Sequence, residues 1–337
     1  MIKDITSRSE WDNFIKSHPE SNFLQSWDFY EFHKSRGKDI VRRAILKDDK
    51  IIAAYAGVVE TAKRGKYLAI AGGPILDWED KKNVKLLFGD IRKMGDEKNC
   101  VFVRVRPQLP LSEKSLRLMK DLGLKKAPIY LSAEYVGILD LTKTKDEILA
   151  GASQGFRRKL RKAKKVGIEI EAKTTDEAIN DFCELEKVHA ERQKYVAFSK
   201  EWLKKQFEAF REGDEVLIYT ARFEGEILAQ NFMIFYGPEA SYHYGVSSEL
   251  GTRYSAAPLL HLAAMDEAQR RGCIRYNLWG IVGLDEKTHR FYGVSEFKRS
   301  FGCAELKYTP AHDMILKPTK YQITKLVELV RKKVRHV

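Results

Sequence analysis

Cysteine is scarce in this chain. There are four in 337 residues, Cys100, Cys183, Cys273 and Cys303; none forms a CxxC pair and three fall inside apolar runs. That argues against a disulfide scaffold and leaves buried free thiols in a reducing compartment as the expectation. The eight histidines show no HxxxH or HExxH spacing, so no metal is expected. No window approaches ~18 uncharged apolar residues, which argues against a membrane-spanning helix. The N-terminus, Met1-Ile2-Lys3-Asp4, carries an acid and lacks an apolar stretch, so no secretion signal is expected and the chain reads as cytoplasmic. Phosphate-cradling loops are missing too: there is no GxxxxGK[ST], no strand–GxGxxG–helix and no GxSxG elbow. The nearest string to an acetyl-CoA loop, Gln269-Arg270-Arg271-Gly272-Cys273, stands at the wrong end of its helix. No nucleotide or CoA cofactor is therefore expected.

What is present is a dense core and an excess of cations. Hydrophobic residues make up 44 % and aromatics 11 %, and 60 Lys+Arg against 47 Asp+Glu leave a net charge of +13. The length suits one large or two ordinary domains. A repeat favours two. A charged turn leads into an apolar strand at Lys47-Asp48-Asp49-Lys50-Ile51-Ile52 and again at Phe223-Glu224-Gly225-Glu226-Ile227-Leu228. Glycine-bearing strand ends follow at Gly72 and Gly245, and cysteine-led strands at Cys100 and Cys273, 28 residues later in both copies. A constant offset of this kind marks two copies of one αβ unit. Helices are predicted over Ser7–Ser17, with Trp11, Phe14 and Ile15 on one face, and over Thr175–Gln193. The expected division is residues 1–142, residues 143–316, and a basic terminal helix over 317–337 that carries Leu326, Val327, Leu329 and Val330 and packs back on the first domain. The order of elements is that of an acyltransferase-like α/β domain, and twin domains of that sort predict a cleft between them.

Two segments carry candidate chemistry. Arg157-Arg158-Lys159-Leu160-Arg161-Lys162-Ala163-Lys164-Lys165 holds seven cations in nine residues, with Leu160 and Ala163 forming a thin apolar stripe. Like charges this dense repel unless they meet anions, and a polyphosphate backbone supplies them. A solvated basic face is the plainer alternative. With no RNP motif, zinc finger or helix-turn-helix signature, DNA is not expected as a partner. The second segment, Gly293 to Gly302, brackets an alternating run with glycines. Read as a strand, it turns Phe297 and Phe301 to a core and sends Lys298 and Arg299 to opposite sides. A lysine so placed can stabilise a developing oxyanion or hold a phosphate. An exposed surface lysine is the plainer reading.

Together these pieces resemble the Fem-type aminoacyltransferases (FemA, FemB, FemX). Phe156 to Ile168 is similar to the basic helix that opens their second domain. Tyr244-Gly245-Val246-Ser247-Ser248 with Ala257-Pro258-Leu259-Leu260 is similar to their glycine-serine strand and the helix after it. Tyr276-Asn277-Leu278-Trp279-Gly280-Ile281 resembles a late strand, and Phe297-Lys298-Arg299-Ser300-Phe301-Gly302 their closing FKxxF element. The resemblance implies two tandem acetyltransferase-like (GNAT-like) domains, in the compact FemX form without a coiled-coil arm. It implies transfer of an amino acid from aminoacyl-tRNA to an amine of a peptidoglycan precursor's stem peptide, nucleotide-linked or lipid-linked, with no cofactor. Peripheral contact with the inner membrane surface fits that role. Lys298, held by Phe297, takes the catalytic place. Arg157, Arg158, Lys159, Arg161, Lys162, Lys164, Lys165 and Arg299 are implied for tRNA, and His33, Lys34, Tyr244 and Lys200 for the acceptor. In the early motif His33 stands in the family's lysine slot, with Lys34 one place later, and Phe198 falls near the second phosphate-binding slot. An acyl-CoA-dependent N-acyltransferase and a non-catalytic tRNA-binding protein on the same scaffold are the competing readings.

Overall fold

Helix caps and strand alternation divide the chain as follows in a computed structural model that describes residues 1–62 and 65–335, with side chains to Lys332. The first part runs β1 (Ile2–Asp4), α1 (Arg8–Ser17), a 3-10 turn (Phe23–Gln25), α2 (Trp27–Ser35), β2 (Asp39–Lys47), β3 (Lys50–Ala62), β4 (Gly65–Ala71), β5 (Ile75–Leu76), α3 (Lys81–Glu97), β6 (Phe102–Arg106), α4 (Glu113–Asp121) and β7 (Lys125–Lys126). The second runs β8 (Tyr135–Asp140), α5 (Lys145–Gly151), α6 (Gln154–Val166), β9 (Glu169–Lys173), α7 (Asp176–Gln193), α8 (Lys200–Arg211), β10 (Val216–Phe223), β11 (Glu226–Tyr236), β12 (Glu239–Ser247), α9 (Glu249–Tyr254), α10 (Ala257–Arg270), β13 (Arg275–Gly280), α11 (Tyr292–Arg299) and β14 (Ala304–Lys307). The chain ends with β15 (His312–Ile315) and α12 (Pro318–Arg335). The capping residues are local and strong. Ser7 and Thr175 accept from the backbone of Glu10 and Ala178, satisfying donors that the first turns of α1 and α7 would otherwise leave open.

Two compact units result: Met1–Glu134 with the segment from Lys307 onward, and Tyr135–Leu306. The sheet of the first runs β1-β2-β3-β4-β6-β15-β7, with β5 on β3; that of the second, read from the opposite end, runs β9-β10-β11-β12-β13-β8-β14. Position by position the orders correspond, with a parallel pair at β4/β6 and at β12/β13. The recurring glycine-to-cysteine offset therefore has a topological counterpart. The sixth strand of each sheet is out of chain order with its neighbours: β8 opens the second unit ahead of its first helix, and β15 rejoins the first unit after the second has ended. That is why the units divide at 134/135 and 306/307, where the sequence pattern suggests 142/143 and 316/317. Cross-strand bonding to β13 draws β8 into the second sheet, and bonding to β6 draws β15 into the first.

Each sheet buries one face under helices. Val84, Leu87 and Ile91 of α3 meet Tyr55, Leu68 and Val103; Leu260 and Ala264 of α10 meet Met233, Tyr276 and Phe156. Each fully buried side chain of this size contributes about 1.5–3 kcal/mol. Cys100, Cys183 and Cys273 are buried free thiols, and Cys303 is half-buried.

Two segments differ from the sequence reading. Residues 292–299 form a helix, α11, instead of an alternating strand. Phe297 and Phe301 are four apart, a spacing that serves one helical face as well as it serves one strand face. In α12 the aliphatics point away from the protein. Tyr321, Thr324 and Glu328 are the buried residues, and Leu326, Val327, Leu329 and Val330 are exposed. The predicted basic end reaches Arg331 and Lys332, both exposed; Lys333, Val334 and Arg335 lie outside the described side chains.

Candidate active site and basic helix

The parallel pair of the second unit separates early. Strand β12 pairs with β13 only over Glu239–Ser241, whereas β4 and β6 keep register over Tyr67–Ala71. A bulge accompanies the split: Phe232 faces Tyr244 and Met233 faces Tyr242, so His243 is the extra residue. Bulges re-aim side chains. Here the Tyr242 phenol folds over Gly245, where an added Cβ would stand 1.6 Å from Oη, so any side chain there would displace the ring. On β13, Asn277 ties the divergence down. Its Nδ2 donates to Glu239 Oε1 at 3.1 Å and its Oδ1 accepts from the Trp279 backbone N–H at 2.8 Å.

Lys298 reaches into this split. It is 7 % exposed, its Nζ donates to the Gly280 carbonyl at 2.8 Å, and it lies 5.8 Å from the centre of the Tyr242 ring. Burial disfavours the ammonium and pushes its pKa down to about 7, opposed weakly by Cys303. His261 of α10 lines the same space. Its Nδ1 is 2.9 Å from Tyr276 Oη, and its ring packs on Tyr242 and Phe301. Burial, and then the charge of Lys298, pushes the imidazole down to about 3, so it is neutral. Burial raises the phenols of Tyr242 and Tyr276. Phe297, half-buried, packs on His261 and Phe301 and wedges α11 in place. An amine poised near neutrality and shielded from water can take up a proton and release it in one reaction cycle.

Arg299 behaves differently from its neighbour. Its guanidinium is bound to Glu305 at 2.8 Å, to Glu296 at 3.3 Å and to the Val282 carbonyl. It braces α11 against β14 through these contacts, whereas the resemblance implies it for tRNA.

The basic run folds as α6, capped by Ser153, with Leu160 and Ala163 buried as the spacing predicts and Phe156 buried beside them. Arg158, Lys159, Arg161, Lys162, Lys164 and Lys165 are exposed. Four of them, Arg158, Arg161, Lys162 and Lys165, follow i, i+3, i+4, i+7 spacing and share one face. Among the described residues none of the six is paired with a carboxylate. Arg157 is set apart: half-buried, it donates to the Ala150 carbonyl at 2.8 Å and anchors α6 to α5.

The residues implied for an acceptor are divided between the two units. His33 is buried on α2 among Phe29 and Phe32, and burial pushes its pKa down to about 3, so it offers no cation to a phosphate. Lys34 beside it is exposed, 3.7 Å from Glu31. Both belong to the first unit. In the second, Lys200 is exposed and paired with Glu184 at 3.0 Å. Tyr244 is half-buried, accepts from Trp202 Nε1 at 3.2 Å, and packs on Phe198. Sequence reasoning missed Tyr242 and His261. Their signal is faint: a tyrosine two residues before Tyr244, and a histidine on an otherwise apolar helix face.

Known proteins share this arrangement. Residues 6–120 match the model of the FemAB family, and residues 151–299 that of an acetyltransferase (GNAT) domain. The lipid II:glycine glycyltransferase of Staphylococcus aureus is 20 % identical over 97 % of this chain and 96 % of its own length. The crystal structure of FemX superposes with a TM-score of 0.87 at 19 % identity, covering 97 % of this chain and all of that one. A tandem GNAT protein of clavulanic acid biosynthesis superposes at 0.57 and 12 % identity, covering 94 % and 98 %. The first unit is thus matched by the model of the FemAB family, the second by that of an acetyltransferase (GNAT) domain, and the fold over 97 % of the chain by FemX.

Proposed function

We propose that this enzyme transfers an amino acid from an aminoacyl-tRNA to an amine on the stem peptide of a lipid-linked peptidoglycan precursor, as a step of interpeptide-bridge formation in the cytoplasm. The observation that carries the chemistry is the buried amine of Lys298, poised near neutral pH at the β12/β13 split. The donor's ester needs no metal or redox help. The acceptor nitrogen attacks the ester carbonyl, a C–N bond forms, the C–O bond to the ribose breaks, and one proton must pass from nitrogen to the leaving oxygen. Neutral Lys298 takes that proton and, as ammonium, returns it to the leaving oxygen. The remaining rate comes from alignment in a site that excludes water. The unpaired cations of α6 support a tRNA donor. Incubating the protein with a mixture of charged tRNAs and lipid-linked precursor, and reading the acceptor mass, tests the whole assignment. Unchanged mass with every aminoacyl-tRNA overturns it.

The pH profile gives a sharper test. Activity is expected to rise through about pH 7 and then level, because the lysine must be neutral to accept. The groups around it titrate elsewhere: His261 near 3, and Cys303, Tyr242 and Tyr276 above their ordinary values. Glu20, in the first unit, is pushed up to about 7 by burial, so the residual activity of Lys298→Met is the control and should lack the inflection. A rate that falls as pH rises through 7 would assign the work to the ammonium instead.

Reversal of Arg158, Arg161, Lys162 and Lys165 to glutamate is expected to weaken tRNA binding and to flatten its salt dependence, by about 0.7–0.9 in log–log slope per lost contact. Filter binding across a salt series reads this. A wild-type slope in the variant would leave α6 as a solvated face.

A further inference from the structure

Helix α12 is mounted with its polar side inward. Tyr321, Thr324 and Glu328 face the first unit; Glu328 accepts from Arg104 at 2.8 and 3.2 Å, and Tyr321 donates to Asp313 at 2.8 Å. The outward side carries Ile323, Leu326, Val327 and Val330, which are 65, 64, 39 and 55 % exposed. Their i, i+3, i+4, i+7 spacing makes one continuous aliphatic stripe about two turns long. At about 100° per residue, Lys320 and Arg331 border one edge of the stripe; beyond the other edge come Gln322 and Leu329, and Lys325 and Lys332 stand farther round, toward the inward side. All four cations are exposed. The only acid in the helix is Glu328, which is buried.

We propose that this face docks the enzyme on an anionic lipid bilayer, with α12 lying in the plane of the surface. The aliphatic stripe suits burial at the boundary between headgroups and acyl chains, while the lysines keep their ammonium groups among the phosphates. Each basic residue held near an anionic surface adds to the attraction. The rim charge also selects among occupants. A second copy would set cation against cation, whereas an anionic bilayer complements the Lys320 and Arg331 edge and the net positive charge of the helix surface. The helix is not apolar enough to cross the membrane. It cannot hide its stripe by rolling over either, because Glu328 would leave Arg104. That this docking brings the transfer site to a lipid-linked acceptor rests on the function proposed above; the docking itself is read without substrate.

Co-sedimentation of the full chain with vesicles tests it. Binding is expected to vesicles of phosphatidylcholine mixed with phosphatidylglycerol, much less to pure phosphatidylcholine, and less at high salt. The variant Ile323→Ser/Leu326→Ser/Val330→Ser should lose at least about tenfold in affinity. Its circular dichroism and melting temperature should be unchanged, since the replaced side chains are exposed. Lys320→Gln/Lys325→Gln should bind more weakly at low salt and converge on wild type at high salt. A wild-type protein left in the supernatant, or a triple-serine variant that binds as wild type does, overturns the proposal. So does a wild-type dimer in analytical ultracentrifugation that the same substitutions abolish, because the face would then belong to a second copy. Vesicle binding with no aminoacyl transfer would retire the function and keep the surface; transfer to a soluble acceptor with no vesicle binding would do the reverse.

Discussion

Lys298→Met is expected to lose turnover by about 10²–10³ while the protein becomes more stable, and the two changes together are the signature of a functional buried lysine. Methionine fills much the same volume and removes only the amine, so α11 should keep its place through Phe297 and Phe301. The native pKa of Lys298 is about 7 against 10.5 for the free side chain. Between those values the unfolded chain holds a proton that the folded one has released, so wild-type stability rises with pH across that window, at about 1.36 kcal/mol for each unit of displacement. Below it the full penalty applies. The advantage of Lys298→Met should therefore be greatest below about pH 7 and shrink toward about pH 10. Urea midpoints at the two ends measure the stability, and steady-state transfer with charged tRNA measures the loss. If Lys298 acts on the transition state, kcat falls much more than donor affinity. Near-wild-type turnover would reduce the residue to packing. A midpoint advantage that does not depend on pH would show that the amine is solvated. Arg299→Ala is expected to behave in the opposite sense, losing stability with the Glu305 contact.

Periodicity and local chemistry were legible in the sequence; pairings set by the fold were not. The 28-residue offset from Gly72 to Cys100 and from Gly245 to Cys273 anticipates two sheets of matching strand order, because each offset spans the same strand–helix–strand step. The α6 stripe of Leu160 and Ala163 needs only 3.6-residue geometry to be seen. Lys298 was found by motif, but its burial was not: that depends on Gly280 and Tyr242 arriving from two strands, β13 and β12, distant in sequence from α11. The bulge at His243, which sends Tyr242 over Gly245, leaves no mark beyond the glycine. The direction of α12 was hidden for a similar reason. Its aliphatics would by composition face a core, yet the first unit offers it a buried cation.

That cation makes the largest structural prediction. Arg104 of β6 is fully buried. Its Nε and Nη2 hold Asp313 of β15 at 2.7 and 2.8 Å, and Nη1 and Nη2 hold Glu328 of α12. One guanidinium thus serves two carboxylates, with the Tyr321 hydroxyl donating a further bond to Asp313. Arg104→Met would leave both carboxylates desolvated without their partner and is expected to cost about 3–5 kcal/mol. The damage should appear first at α12, as early proteolytic cleavage between β15 and the C-terminus, because the helix is held chiefly through Tyr321, Thr324 and Glu328. Replacing all three charges together, as Arg104→Met/Asp313→Leu/Glu328→Leu, should recover most of that loss, since apolar residues of similar volume need no compensation for desolvation. The triple variant would also lift the constraint that keeps the polar face inward. Chemical denaturation of the single and triple variants decides the matter. If Arg104→Met stays within about 0.5 kcal/mol of wild type, the range of an ordinary surface substitution, the triad does not hold the helix. The orientation of its aliphatic face would then need another cause.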